Sequence, residues 1–206
     1  MSLLADEDIA FYVEKGELGI TPWDPDALNV GTALQPASVD VRLDRYFLAL
    51  RPSTEPIDPA VDNSHRFDAI EVQDGDRLRL DPGECVLGST FEHLAIPPQM
   101  IAHLHGKSSL GRLFLLIHCT AGLLDAGWRG YVTLELKNLT GCPMYLYPGQ
   151  KIGQLTFEIM CSKAIRPYGH AGLGSHYQDQ PRGPVPPQGW RNFTHGLPPD
   201  SELGVA

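Results

Sequence analysis

Between Gly106 and Arg112 the chain reads Gly106-Lys107-Ser108-Ser109-Leu110-Gly111-Arg112, which gathers two cations, two hydroxyls and two glycines. Such a stretch can hold an anion, because glycines let backbone N–H groups come close while Lys and Arg neutralise charge. It is not the GxxxxGK[ST] pattern of a P-loop, and without a ligand it reads as a polar loop. Thr120-Ala121-Gly122-Leu123-Leu124-Asp125 follows, running on through Ala126-Gly127-Trp128-Arg129-Gly130. Here Asp125 sits where a turn or capping aspartate is ordinary.

A second acid, Glu135, lies in Val132-Thr133-Leu134-Glu135-Leu136-Lys137. In an extended segment Val132, Leu134 and Leu136 share one face, and Thr133, Glu135 and Lys137 share the other. Alternation alone therefore places Glu135 on a solvated face. Its company argues otherwise: a cationic loop upstream, and His170-Ala171-Gly172-Leu173-Gly174-Ser175-His176-Tyr177-Gln178-Asp179-Gln180 downstream. Two polar, glycine-bearing segments on a β scaffold could build a phosphate or base pocket. Each by itself reads as a solvated loop, with His176 an ordinary surface histidine.

The elements that must position these residues are mostly short strands. Residues 3–16 read as a short helix with Asp6 as its cap and Gly16 at its C-terminal end. Val39 to Leu43, Arg77 to Leu80, Tyr131 to Leu136 and Met144 to Tyr147 then alternate, punctuated by Asp81-Pro82-Gly83 and Pro148-Gly149. That rhythm predicts an all-β barrel or sandwich. One domain over residues 1–180 is expected, followed by a Pro/Gly-rich, partly mobile tail over 181–206.

The formal charge of −9 speaks against holding long nucleic acid by its backbone, though not against one small phosphate ligand. No apolar run approaches the length of a membrane span. Met1 to Ala5 lack the basic-then-apolar order of a secretory leader. Cys85, Cys119, Cys142 and Cys161 are scattered, and read as small buried residues of a reducing compartment. The expected location is cytoplasmic.

Taken in order, Lys107-Ser108-Ser109-Leu110-Gly111-Arg112, Thr120-Ala121-Gly122 with Asp125, and Thr133-Leu134-Glu135 resemble the central signature of dCTP deaminases. Gln35 to Leu43, Pro148 to Leu155 and Gly172 to Gln180 match that family in order and spacing. The same blocks are similar to trimeric dUTPases, whose nucleophilic-water motif Gly122-Leu123-Leu124-Asp125 with Arg129-Gly130 resembles. The resemblance implies a mainly β fold, a distorted β-barrel of the dUTPase-like type with a short N-terminal helix. It also implies a homotrimer with active sites at subunit interfaces, dCTP and dUTP as ligands, and dTTP as an inhibitor. Mg²⁺ would be bound through the triphosphate.

Deaminating cytosine requires water at C4, a proton at N3 and a proton for the departing amine. Zinc deaminases sign themselves with HxE and PCxxC, and neither occurs here, so no zinc is expected. The resemblance makes Glu135 the catalytic base, Ser108 a holder of the water and Arg112 the cation beside Glu135. Asp125 matches the contact to the sugar 3′-hydroxyl, and the Ala121 carbonyl is a further acceptor for the water. Lys107, Ser109 and Arg112 match phosphate contacts, with Leu110 and Gly111 in the same loop and Gln154 and Tyr168 nearby. Thr133 and Glu135 line the base, Leu134 between them belongs to the same substrate-binding stretch, and Gln180 contacts ligand from the closing C-terminal segment. His176 stands where the family has a Lys, which makes that phosphate contact pH-dependent.

Gly122 is the second point of interest. Deaminases that stop at dUTP carry His there, so this chain looks like members that go on to dUMP and pyrophosphate. Either Gly122 leaves room for a water aimed at the α-phosphorus, with Asp125 orienting it, or it meets a positive φ. The alternatives to that bifunctional reading are a deaminase releasing dUTP and a plain dUTPase.

Overall fold

The computed structural model describes residues 2–23 and 33–193. Strand β1 (Ser2–Leu3) leads into helix α1 (Asp6–Glu14) and β2 (Gly19–Thr21). Then come β3 (Ala33–Gln35), β4 (Ser38–Arg42), β5 (Tyr46–Leu50), β6 (Phe67–Glu71) and β7 (Leu78–Leu80). The long strands β8 (Cys85–Ala95) and β9 (Met100–Gly106) precede the single turn of α2 (Ser108–Gly111). Two short strands, β10 (Leu115–Leu116) and β11 (Leu123–Leu124), flank the loop before β12 (Arg129–Asn138). Strands β13 (Met144–Leu146) and β14 (Lys151–Ile159) complete the ladders. Among the described residues, no helix is long and apolar enough to cross a membrane.

Helix α1 starts after Ala5, so Asp6 is its first residue rather than its cap, and Leu3 belongs to a strand. Asp6, Glu7 and Asp8 fill the first turn, where carboxylates favour the positive end of the helix dipole. Ile9 is the fully buried anchor, and Gly16 at φ +70° follows the last turn.

The strands form two open sheets. One runs β11-β9-β14-β4-β3 with β1 on β14, and the other runs β10-β12-β8-β5-β6 with β2 on β8. The pair β13-β7 stands apart. The ladders do not close into the distorted barrel expected from the resemblance. One outer strand of each sheet, β11 and β10, is only two residues long. Between the sheets lies one apolar cluster that takes Val39, Val41, Leu104, Leu155 and Phe157 from the first and Phe47, Leu94, Leu134 and Leu136 from the second. Each such side chain contributes about 1.5–3 kcal/mol by leaving water, which fixes the face that β12 turns inward.

Two expectations need correction here. All four cysteines are exposed, because they fall at strand ends and turns rather than on inward positions. The hydrophobic pattern also puts Leu134 fully inside the core, so its side chain cannot line a ligand site. Residues 181–193 run back across the protein, where Arg182 pairs with Asp44 and Val185 N–H donates to Thr133 Oγ1. The rest of the expected tail, 194–206, lies outside the described residues.

Candidate active site

Strand β12 carries the site because its alternation leaves Thr133 and Glu135 on the face opposite the core. The β8–β12 register shifts between Tyr131 and Thr133, and there the side chain of buried Thr90 replaces a ladder partner. Thr90 Oγ1 accepts from Val132 N–H at 3.0 Å and donates to the Glu92 carbonyl at 2.8 Å. Beyond the shift, Glu135 sits opposite Leu87 and its N–H donates to the Ile117 carbonyl at 2.9 Å.

That outer face is not left to solvent. The loop from Ile117 to Gly122 covers one side and residues 168–187 cover another, enclosing a cavity of about 480 Å³. Glu135, Thr133, Asp125, Ala121, Gly122, Tyr168 and Gln180 all line it, so the structure brings together seven residues singled out by sequence. Glu135 is half-buried, and Cys119 N–H donates to its Oε2 at 2.6 Å. One oxygen is thereby oriented while the other stays available for a water. A second cavity of about 330 Å³ meets the first at Phe67, Leu87 and Glu135, so the carboxylate stands at their junction.

The chemistry around Glu135 follows from these contacts. Partial desolvation of its sulfur, with the nearby Glu135 carboxylate, pushes the Cys119 thiol pKa up, although the residue as a whole is exposed. Burial likewise raises Tyr168, and the charge of Asp125 adds to it. Tyr168 therefore keeps its proton while its oxygen accepts Tyr177 N–H at 3.1 Å. Thr133 Oγ1 donates to Gln180 Oε1 at 2.9 Å and accepts Val185 N–H at 3.2 Å. Thr133 thus fastens the C-terminal segment to the cavity wall.

The cationic loop lies outside this cavity. Lys107 Nζ donates to the buried Asp40 at 2.5 Å, and Lys151 reaches the other Asp40 oxygen at 3.3 Å. Ser108, Ser109, Gly111 and Arg112 are exposed on α2 and at its end, with Leu110 half-buried against the core. Gln154 lies in β14 between Asp40 and His105, and His176 packs edge-on to Tyr177, their ring centroids 6.3 Å apart. None of these residues lines the Glu135 cavity.

Sequence reasoning missed other parts of the wall. Phe67 and Leu87 come from ordinary strands, and Trp128 is fixed by its indole N–H donating to the Tyr177 carbonyl at 2.9 Å. Val185 and Pro187 come from the stretch read as tail. Only Trp128 and Tyr177 gave a local signal, as aromatic residues inside the two glycine-bearing motifs.

Known proteins resemble this chain along most of its length. The profile of a family described as dCTP deaminase-like matches residues 3–160. A protein of Corynebacterium efficiens named "dCTP deaminase, dUMP-forming" is 47% identical over 193 residues, which are 93% of this chain and 96% of that protein. One of the same name from Bifidobacterium longum is 45% identical over 93% of this chain and 96% of its own. The crystal structure of a 2′-deoxycytidine 5′-triphosphate deaminase from Agrobacterium tumefaciens superposes with a TM-score of 0.59 at 27% identity, covering 76% of this chain. The chain spans about half of that solved protein, 48% of its length.

Proposed function

The chain belongs to the dCTP deaminase-like family, and from that membership we propose that it removes the amine of dCTP and then hydrolyses the triphosphate, giving dUMP and pyrophosphate. The observation that carries this reading is the Glu135 carboxylate, oriented by Cys119 N–H in a cavity that Asp125 and Gly122 also line. In the first step Glu135 takes a proton from a water as its oxygen bonds to C4 of the cytosine, and passes that proton to N3, with the Ala121 carbonyl as a second acceptor for the water. The new C4 hydroxyl then gives its proton through Glu135 to the amine, the C4–N bond breaks, and ammonia leaves with a C4 carbonyl behind it. In the second step a water beside Gly122, oriented by Asp125, attacks the α-phosphorus and pyrophosphate departs. Base catalysis of the first kind contributes ~10²–10⁴-fold to a rate.

The triphosphate needs cations, and among the described residues no Lys or Arg lines the cavity. We place Lys107, Ser108, Ser109 and Arg112 of a neighbouring copy at its open side, in a homotrimer. Leu113 and Phe114, apolar and exposed directly after that loop, support such a contact. Subunit mixing checks the assembly. Glu135→Gln and Arg112→Ala should each be inactive alone, yet regain about a quarter of the sites when co-assembled, by random assortment. No recovery in mixed trimers would return Arg112 to the chain that holds its own Glu135.

Among the described residues no group of three or more His, Cys, Asp or Glu is placed to hold a cation. Mg²⁺ therefore fits as a partner of the phosphate oxygens, where it would neutralise charge on the triphosphate. A dTTP molecule carries the same sugar and phosphates and would compete for these contacts. The setting we infer is cytoplasmic.

Product analysis decides the reading. With dCTP and Mg²⁺ the protein should release ammonia, dUMP and pyrophosphate; dUTP as the end product would leave a monofunctional deaminase. Hydrolysis of dUTP with no ammonia from dCTP would instead make it a plain dUTPase.

A further inference from the structure

Residues 180–187 form one wall of the cavity through Gln180, Val185 and Pro187, while Arg182 between them faces elsewhere. Its Nε and Nη2 donate to Asp44 Oδ2 and Oδ1 at 2.8 and 2.9 Å, a two-point clasp. The guanidinium also lies over Phe91 and Tyr46, 5.2 and 5.6 Å from their ring centroids. This is not an ordinary surface pair, because the Asp44 side chain is 1% exposed. A carboxylate taken that far from water depends on its cation, and here the cation comes from the C-terminal segment.

The next residue converts that clasp into a position. Gly183 has φ +94°, and a Cβ there would stand 3.3 Å from Tyr46 Cβ, so only glycine turns so close to β5. The turn delivers Val185 N–H to Thr133 Oγ1, which in turn donates to Gln180 Oε1. The Gln180 carbonyl accepts Tyr131 N–H at 3.3 Å and Gln188 N–H donates to the Tyr177 hydroxyl at 2.9 Å, so both ends of the segment are tied down, and between them it is held by Asp44 outside the cavity and Thr133 inside it.

We propose that Arg182 is a positioning residue: its clasp on the buried Asp44 seats Gln180 and Val185 against Thr133, so the wall beside the base stands before nucleotide arrives. The proposal rests on reading the cavity as a nucleotide site. A segment freed from Asp44 would have to be ordered by the nucleotide itself, and that cost falls on binding rather than on chemistry.

The test compares Arg182→Ala with the double variant Arg182→Ala/Asp44→Asn, each as full chain. The single variant leaves a buried charge unmatched and loses stability as well as seating; the double variant removes the charge. Both should raise the dCTP KM about tenfold or more while kcat stays within about threefold. Both should also be cut faster by chymotrypsin at Trp190. A double variant as heat-stable as the parent, with the parent's KM and cleavage rate, would mean that Arg182 only neutralises Asp44 and would overturn the proposal. A fall in kcat at unchanged KM would overturn it as well. Absence of ammonia release from the parent would remove the deaminase reading, whereas the cleavage rates still decide the seating.

Discussion

Replacing Glu135 with glutamine is expected to lower ammonia release from dCTP by ~10²–10⁴-fold while nucleotide still binds. The substitution is nearly isosteric, and a glutamine carbonyl can accept the Cys119 N–H that now meets Oε2 at 2.6 Å. Leu87 opposite and the core-facing Leu134 and Leu136 are untouched, so the strand keeps its register. What glutamine cannot do is take a proton from water. Ammonia release measured beside equilibrium binding of dCTP separates the two effects. Turnover near the parent rate would remove Glu135 from the mechanism, and loss of binding together with turnover would make it structural.

The position of Glu135 also shows where a sequence can be read and where it cannot. Alternation correctly put Thr133, Glu135 and Lys137 on the face away from the core, because Val132, Leu134 and Leu136 supply most of the apolar area to be buried. It could not say that this face is covered. The cover is made by residues 117–122 and 168–187, far apart in sequence, and its contacts are backbone N–H groups and single hydroxyls with no composition of their own. Pro181 to Pro187 read as a tail for the same reason: the segment lacks an apolar pattern, and its hold is the ion pair of Arg182 with Asp44 together with single hydrogen bonds such as Val185 N–H to Thr133. The strands at Val39 to Leu43 and Tyr131 to Leu136 were legible because packing enforces a period of two. Closure of the sheets was not legible, since it depends on whether short edge strands find partners. The cationic loop marks the opposite case. Its residue types allowed either an anion site or a plain polar loop, and in the fold Lys107 pairs with Asp40 while Arg112 lies outside the Glu135 cavity.

The second large effect is expected at Gly122, where a side chain should separate the two reactions. Gly122 does not lie in the left-handed region, so the positive-φ explanation for a glycine there is set aside. What crowds a side chain there is closeness. An added Cβ would stand 3.0 Å from the Leu104 carbonyl oxygen and 3.4 Å from His118 Cε1, because Leu104 N–H already donates to the Gly122 carbonyl at 2.7 Å. Gly122→Ala must push that backbone by a few tenths of an ångström, and it measures the structural part of any loss. Gly122→His adds a ring that has to turn away from His118 into the cavity, on the side where Asp125 would orient the second water. Displacing a positioned water should cut dUMP formation from dUTP about a hundredfold. Glu135 and the loop that orients it stay in place, so ammonia release from dCTP should fall by less, about tenfold at most. The measurement is the ratio of dUTP to dUMP accumulated from dCTP: it should rise steeply in the His variant and little in the Ala variant. If both variants lose both reactions equally, the approach to Leu104 is all that Gly122 serves. A parent enzyme that already stops at dUTP would end the bifunctional reading, and the glycine would then be explained by its backbone contact alone.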